Sequence, residues 1–311
     1  MIQQPSAIAN KEKKIRLLIG GYPGIGKSTI ALSAPKPLHI DVDRGIDRVP
    51  AAFRKPFIQP ATYEELKDDL VPENLAAFDT LVFDTGGQLI KLMSGWAIRQ
   101  NQVNGQRDGS LSLKGYGAVG REFDRLMNYC YYELNKHIVV LFHAKEDKDG
   151  DSTRLRLLVE GGTKDNVWQP MDLGGFMEMS GNTRTLGFTN CERYYAKGTH
   201  GIKGVWPIPE LTTGVPNDFL TSLFEKVNAN IAQESVAADD DRERYEKLMA
   251  DMRIFIDGIV DLEGANKAIA EMKEVKHVLT SQKEIRAMFD KRMKKLGLKY
   301  DKGAGLYVCS T

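Results

Sequence analysis

Gly21-Tyr22-Pro23-Gly24-Ile25-Gly26-Lys27-Ser28 matches G-x-x-x-x-G-K-[ST] at every position. Its flanks complete the pattern. Ile15-Arg16-Leu17-Leu18-Ile19 before it reads as a short buried strand, and Lys27-Ser28-Thr29-Ile30-Ala31-Leu32 after it reads as the first turns of a helix. That order makes an anion cradle. The glycines let successive backbone N–H groups turn inward around phosphate oxygens, and the helix N-terminus adds a partial positive charge. Lys27 is placed to reach the β- and γ-phosphates of a nucleoside triphosphate, and the Ser28 hydroxyl to ligate Mg²⁺. Gly21, Gly24, Gly26, Lys27, Ser28 and Thr29 are the candidate nucleotide-binding residues, with ATP and Mg²⁺ as expected cofactors.

A chain of 311 residues can bury a large core and hold one large domain with a smaller one. The net charge of +1 gives no whole-molecule attraction to nucleic acid, so any such binding must come from local patches. No apolar run reaches membrane-spanning length. Met1 to Lys14 is polar and lacks the apolar core of a secretory signal. Cys130, Cys191 and Cys309 are scattered without metal-binding spacing and read as reduced thiols. The expected location is the cytoplasm.

Residues 15 to about 205 alternate strand-like and helix-like runs, the pattern of a parallel α/β sheet. Pro37 to Asp43 and Thr80 to Thr85 read as strands ending in acids, and His137 to His143 as the most strand-like run. Thr62 and Glu65 form a capping box for a short helix. Phe123, Leu126, Met127, Cys130, Tyr131 and Leu134 repeat at helical spacing. Met171 to Lys203 breaks into short strands with Gly and Asn turns, as in antiparallel hairpins at a sheet edge. Residues 100–120 and 144–170 read as long polar loops, the second carrying Lys145, Lys148, Arg154, Arg156 and Lys164. Ala237 to Asp241 reads as an acidic linker, which divides the chain into a core over 1–230 and a helical domain over 240–311. In the latter, Tyr245, Leu248, Met249, Met252, Phe255, Ile256 and Ile259 form one stripe. Ser281 and Glu284 suggest a second capping box, with Gly297 at the C-cap.

Three acid–base candidates follow the loop. Asp84 ends a buried strand at the carboxyl edge, where an acid holds Mg²⁺ or caps the next helix. Asp43 ends the strand after the loop helix and can take a proton from an attacking water; Asp41 shares its face, so the choice between them stays open. Asp43 can equally pair with Arg44 or Arg48. His143 can touch the γ-phosphate or the water with a neutral imidazole, or be a satisfied structural histidine.

The order of these features resembles the RecA-like ATPase core. Ile40-Asp41-Val42-Asp43 looks like the strand that carries the catalytic glutamate in that group, with Asp in its place. Val82-Phe83-Asp84-Thr85 looks like the Walker B strand. His143 falls where RecA has a glutamine that couples nucleotide state to DNA. Residues 10–215 look closest to phage-encoded AAA/RecA-core ATPases, including the recombinase-like group linked to single-strand annealing. Ser33 to Asp41 and Tyr195-Ala196-Lys197-Gly198-Thr199-His200-Gly201 carry that similarity. Lys197 matches the lysine that reaches a neighbour's ATP site in hexameric motors, and Thr199 stands where an arginine would be.

The resemblance implies a RecA-like P-loop NTPase core with a mainly parallel sheet and an antiparallel edge, plus a small helical C-terminal region. It implies catalytic roles for Lys27, Asp43, His143 and Lys197, and Mg²⁺ ligation by Ser28 and Asp84. The implied activity is a slow or DNA-stimulated ATPase that binds single-stranded DNA in phage-type recombination or strand annealing. Residues 100–120 and 144–170 would face the DNA, with stacking on Tyr116 and Trp168. Implied partners are single-stranded DNA, further copies of the chain and a single-strand-binding protein, with no membrane. The alternatives are another NTPase class, such as a helicase loader or packaging motor, and a small-molecule kinase, against which the tail helices and long loops argue. The cation-rich stretch from Lys276 to Lys302 suits phosphate backbone, an acidic partner or a solvated helix face.

Overall fold

The structure, a computed structural model, describes residues 12–149, 152–159, 166–210, 212 and 214–309. Glu12–Asn230 forms one compact unit, and the chain from Ile231 onward belongs to a second. In chain order the larger unit carries β1 (Arg16–Gly21), α1 (Lys27–Ala31), β2 (Pro37–Asp41), β3 (Phe57–Ile58), α2 (Tyr63–Asp69), α3 (Pro72–Leu75), β4 (Thr80–Asp84), α4 (Gly86–Gln100), α5 (Leu113–Asn128), β5 (His137–Asp149), β6 (Ser152–Leu157), β7 (Leu173–Ser180), β8 (Thr183–Gly187) and β9 (Val205–Pro207). α6 spans Phe219–Asp257, and the smaller unit continues with α7 (Leu262–Lys273), α8 (Ser281–Lys295), β10 (Leu298–Asp301) and β11 (Leu306–Cys309).

The sheet order is β3-β2-β4-β5-β1-β7-β8-β9, with β6 paired to β5. From β3 to β7 every pairing is parallel; β7-β8, β8-β9 and β5-β6 are antiparallel. The fold is thus mixed α/β with a mostly parallel sheet and an antiparallel edge, as the alternation of runs predicts. The central strands are mostly apolar and buried, as expected where both faces of a parallel sheet are covered. Leu18, Phe83, Val140 and Phe142 pack with Leu89, Met93, Phe123 and Met127 of α4 and α5 in one core. Each such buried side chain contributes about 1.5–3 kcal/mol.

Capping sets where α2 and α5 begin. Thr62 accepts from the Glu65 N–H at 3.2 Å, and the Glu65 carboxylate accepts from the Ala61 N–H at 2.7 Å. Ser112 accepts from the Gly115 N–H at 3.2 Å and starts α5 inside the stretch read as a loop. The irregular part of 100–120 is therefore only 101–112, and it contains one 3₁₀ turn, Gln102–Asn104. Gly115 admits the helix there: a Cβ would stand 2.1 Å from the Asn104 carbonyl oxygen.

The second long loop is largely strand. β5 continues to Asp149 and pairs with β6 from Ala144↔Leu157 outward. Its alternating charges left no apolar signal to read. Lys164 lies outside the described residues, as do Met1 to Lys11 of the N-terminal stretch.

Ala237 to Asp241 is helical, within α6, rather than a linker. Its composition suits a solvated helix, supported by Arg242–Asp239 and Arg244–Asp241 pairs at 3.9 and 3.3 Å. Met252, Ile256 and Ile259 of the expected stripe pack in the core of the smaller unit. The cap of α8 is Thr280 rather than Ser281: Glu284 accepts from the Thr280 hydroxyl at 2.5 Å, and Ser281 is buried and accepts from the Val278 N–H at 2.9 Å. Gly297 follows with φ +69°, the left-handed residue expected after a helix.

Candidate nucleotide site

Parallel register gathers the candidate residues at one edge. Gly21 pairs with His143, and Asp41 with Asp84, at the carboxyl ends of adjacent strands. The loop from Gly21 to Ser28 leaves β1 there and enters α1. Gly24 and Gly26 have φ of +78° and +98°, a conformation that costs an L side chain about 1–2 kcal/mol. These two glycines turn the loop back over its own amides. Gly21 is instead required by space, since a Cβ would lie 2.9 Å from the Met177 carbonyl oxygen.

Lys27 is buried beneath this loop. Its ammonium donates to the Gly21 and Tyr22 carbonyls at 3.0 and 2.8 Å and stands 3.4 Å from His143 Nδ1. Burial lowers its pKa to about 8 against the opposing fields of Asp84 and Asp43. A lysine so held gains from a phosphate anion that restores the solvation it has lost. His143 is half-buried, and burial with the nearby Lys27 charge lowers its pKa, keeping the imidazole neutral.

Asp84 accepts from His39 Nε2 at 3.1 Å and from the Ser28 hydroxyl. Burial works to raise its pKa, yet these hydrogen bonds and the His39 and Lys27 charges hold it below the usual carboxylate value. The Ser28 hydroxyl and the Asp84 carboxylate thus already lie side by side. Among the described residues no group of three or more His, Cys, Asp or Glu side chains could hold a metal. One hydroxyl and one carboxylate, completed by water and phosphate oxygens, is a donor set that suits Mg²⁺.

Asp41 and Asp43 are separated by their partners. Asp41 is fully buried and accepts from the Gly45 and Ile46 N–H groups at 2.8 and 3.0 Å and from Gln59 Nε2 at 2.7 Å. Asp43 places its N–H on the Asp84 carbonyl at 3.0 Å, and its partly exposed carboxylate accepts from Arg48 at 3.0 Å. Its charge is felt by both Lys27 and His143. Thr29, the last cradle candidate, is buried in α1.

Lys197 lies apart from this cluster. Its backbone pairs with Gly174, and its half-buried ammonium donates to the Met171 carbonyl at 2.5 Å. It shares a cavity of about 500 Å³ with Trp168 and Tyr195. Trp168 packs edge-on to Tyr195, with ring centroids 4.9 Å apart, and sits over Gly174, where a Cβ would meet its ring at 2.3 Å. Tyr116 lines a different cavity, so the two candidate stacking residues do not form one platform.

Two residues of the site escaped sequence reading. His39 is fully buried and orients Asp84; its place in an apolar strand run was the available signal. Arg184 of β8 donates to the Ile25 carbonyl at 2.9 Å and so ties the loop to the antiparallel edge, which nothing local announces.

This fold and edge define the class of P-loop NTPases. A family model described as an AAA domain matches residues 13–200, and the chain belongs to that family. No curated protein matches the chain.

Proposed function

We propose that the protein is an ATPase that binds single-stranded DNA and acts in recombination or strand annealing of the phage type, as an assembly of identical chains. In this reading the cradle amides and Lys27 hold the triphosphate, and Ser28 and Asp84 hold Mg²⁺, which supplies charge neutralisation at the phosphates. Asp43 accepts the proton of the attacking water. His143 donates a hydrogen bond whose geometry depends on the γ-phosphate. Lys197 leaves the Met171 carbonyl to reach a neighbouring copy's nucleotide.

The observation that carries the DNA assignment is a groove of about 870 Å³ that starts at Thr85 and His143 and runs between Tyr116 and the β5-β6 hairpin, lined there by Lys145, Asp147 and Arg156, the last two paired at 3.6 Å. It joins the nucleotide edge to both stretches expected to face DNA. Cations along such a groove displace counterions from a single strand, and Tyr116 offers an aromatic face. No helix among the described residues is long and apolar enough to cross a membrane.

The test is a single-stranded oligonucleotide titrated with and without ATP and Mg²⁺. Binding that tightens with ATP is expected. Lys145→Ala with Tyr116→Ala should weaken it, with the base-stacking loss alone worth about 1–3 kcal/mol, and lower the salt slope by about 0.7. Equal binding by the double variant would remove the groove from DNA contact.

A further inference from the structure

The smaller unit lies outside the matched family segment. Met252 and Ile256 of α6, Ala265 and Ala268 of α7, Ile285, Phe289 and Met293 of α8, Leu298 of β10 and Tyr307 of β11 form a single core. Two helices, joined by the seven residues Glu274–Thr280, are thus followed at once by an antiparallel hairpin packed on the same core. Asn266 of α7 fixes the hairpin by accepting from the Tyr307 N–H at 2.7 Å and donating to its carbonyl at 3.2 Å.

α8 buries Ser281, Ile285, Phe289 and Met293, a stripe repeating every four residues. Its other side exposes Lys283, Arg286, Lys291, Lys294 and Lys295. Among the described residues none of these five forms an ion pair with a carboxylate. Two acids share that side: Asp290 takes the Tyr307 hydroxyl as a hydrogen-bond partner, and Glu284 accepts from the Tyr245 and Thr280 hydroxyls. From Lys283 to Lys294 the helix carries its cations over about 16 Å. The hairpin adds the exposed Lys299 and Lys302, and a groove of about 940 Å³ lies between α7, α8 and the hairpin.

We propose that this unit binds the backbone of double-stranded DNA through the exposed face of α8, with the β10–β11 hairpin beside it. A rigid helix bearing cations on one side fits the major groove, which is about 12 Å wide, and a basic hairpin beside it can reach an adjacent strand. A single strand is less well served. Among the described residues of this unit Tyr300 and His277 expose rings, while Phe289 and Tyr307 are buried and packed edge to face. An acidic partner helix would need apolar anchors, and the exposed α8 positions offer only Ala287. This assignment is independent of the proposed single-strand groove, because different residues carry it.

The test uses the full chain without nucleotide, titrated by fluorescence anisotropy against a 20-base-pair duplex (about two helical turns) and a single strand of equal length. Lys283→Ala, Arg286→Ala and Lys294→Ala combined should lower duplex affinity about tenfold or more. The slope of log K against log salt should shrink by about 2.7, at 0.9 per lost contact. Single-strand affinity and the thermal melt should stay unchanged, since all three side chains are exposed. The charge-conserving combination Lys283→Arg, Arg286→Lys and Lys294→Arg should keep duplex binding. The proposal is overturned if the unaltered chain binds no duplex at low salt, if the triple variant keeps its affinity and slope, or if the variant loses single-strand binding to the same extent.

Discussion

Asp41 and Asp43 are two residues apart and face different partners, which makes a decisive pair of substitutions. Asp41→Asn keeps one acceptor where three donors converge, so it should destabilise the protein by about 1–3 kcal/mol, read as a lower melting temperature. Asp43→Asn should melt normally and bind ATP normally. Its turnover should fall by about 10²–10⁴ if its carboxylate takes the proton from water. Wild-type turnover in Asp43→Asn would assign the base elsewhere. His137 gives a third measurement. Burial, with help from the Lys14 charge, lowers its pKa to about 4, while Glu12 and Asp79 act the other way; its Nδ1 accepts from the Ile15 N–H at 3.0 Å and its ring stacks on Phe224. Between pH 6.5 and about 4 the unfolded chain binds a proton that the folded chain refuses, so stability falls as pH falls through that window. The full loss is about 3 kcal/mol at 1.36 kcal/mol per pH unit. Asn at 137 can still accept from Ile15 and does not titrate, so denaturant melts of His137→Asn should show a flatter acid limb.

At the scale of elements, the start of α4 sets where Asp84 and Thr85 stand. Thr85 caps the helix through the Gln88 N–H at 3.4 Å, and Gly86 rests on the Phe142 ring, where a Cβ would come within 2.4 Å. Gly86→Ala should therefore destabilise by about 1–3 kcal/mol through overpacking. Adding Phe142→Leu should recover part of that loss, giving a non-zero coupling in a double-mutant cycle. Independent, additive effects would show that the helix start does not bear on β5. The same contact marks a limit of sequence reading. The phosphate loop was legible from its fixed spacing of Gly, Lys and Ser, and β4 and the inner half of β5 because their residue types report burial directly. Gly86 offered no sign of the ring above it. The outer half of β5, Lys145-Glu146-Asp147-Lys148, is exposed and charged, and strand pairing with β6 rather than burial makes it regular. At the nucleotide edge the cradle and Asp84 could be placed from sequence, whereas the division between Asp41 and Asp43 depended on which backbone amides turn toward each, and His39 and Arg184 on register and topology.

For the whole molecule, the proposed assembly predicts complementation. Lys197→Ala and Asp43→Asn chains should each turn over ATP slowly, and a mixture should recover activity at interfaces that pair an intact Asp43 with an intact Lys197. Release of Lys197 from the Met171 carbonyl is the rearrangement this requires. Mixtures no more active than their components, with monomers in light scattering, would exclude it. The sheet order bears on something else: how the chain is made. Of the described strands β1 is the first to be synthesised, yet its neighbours are β5 and β7. Gly21 finds its partners only when His143 and Met177 have been synthesised. At about 5–20 residues per second, that leaves the first strand without its native flanks for roughly 8–30 s. During that interval the apolar run Leu17-Leu18-Ile19 is a nascent-chain segment with two open edges, exposed to wrong pairing until the second half of the sheet arrives.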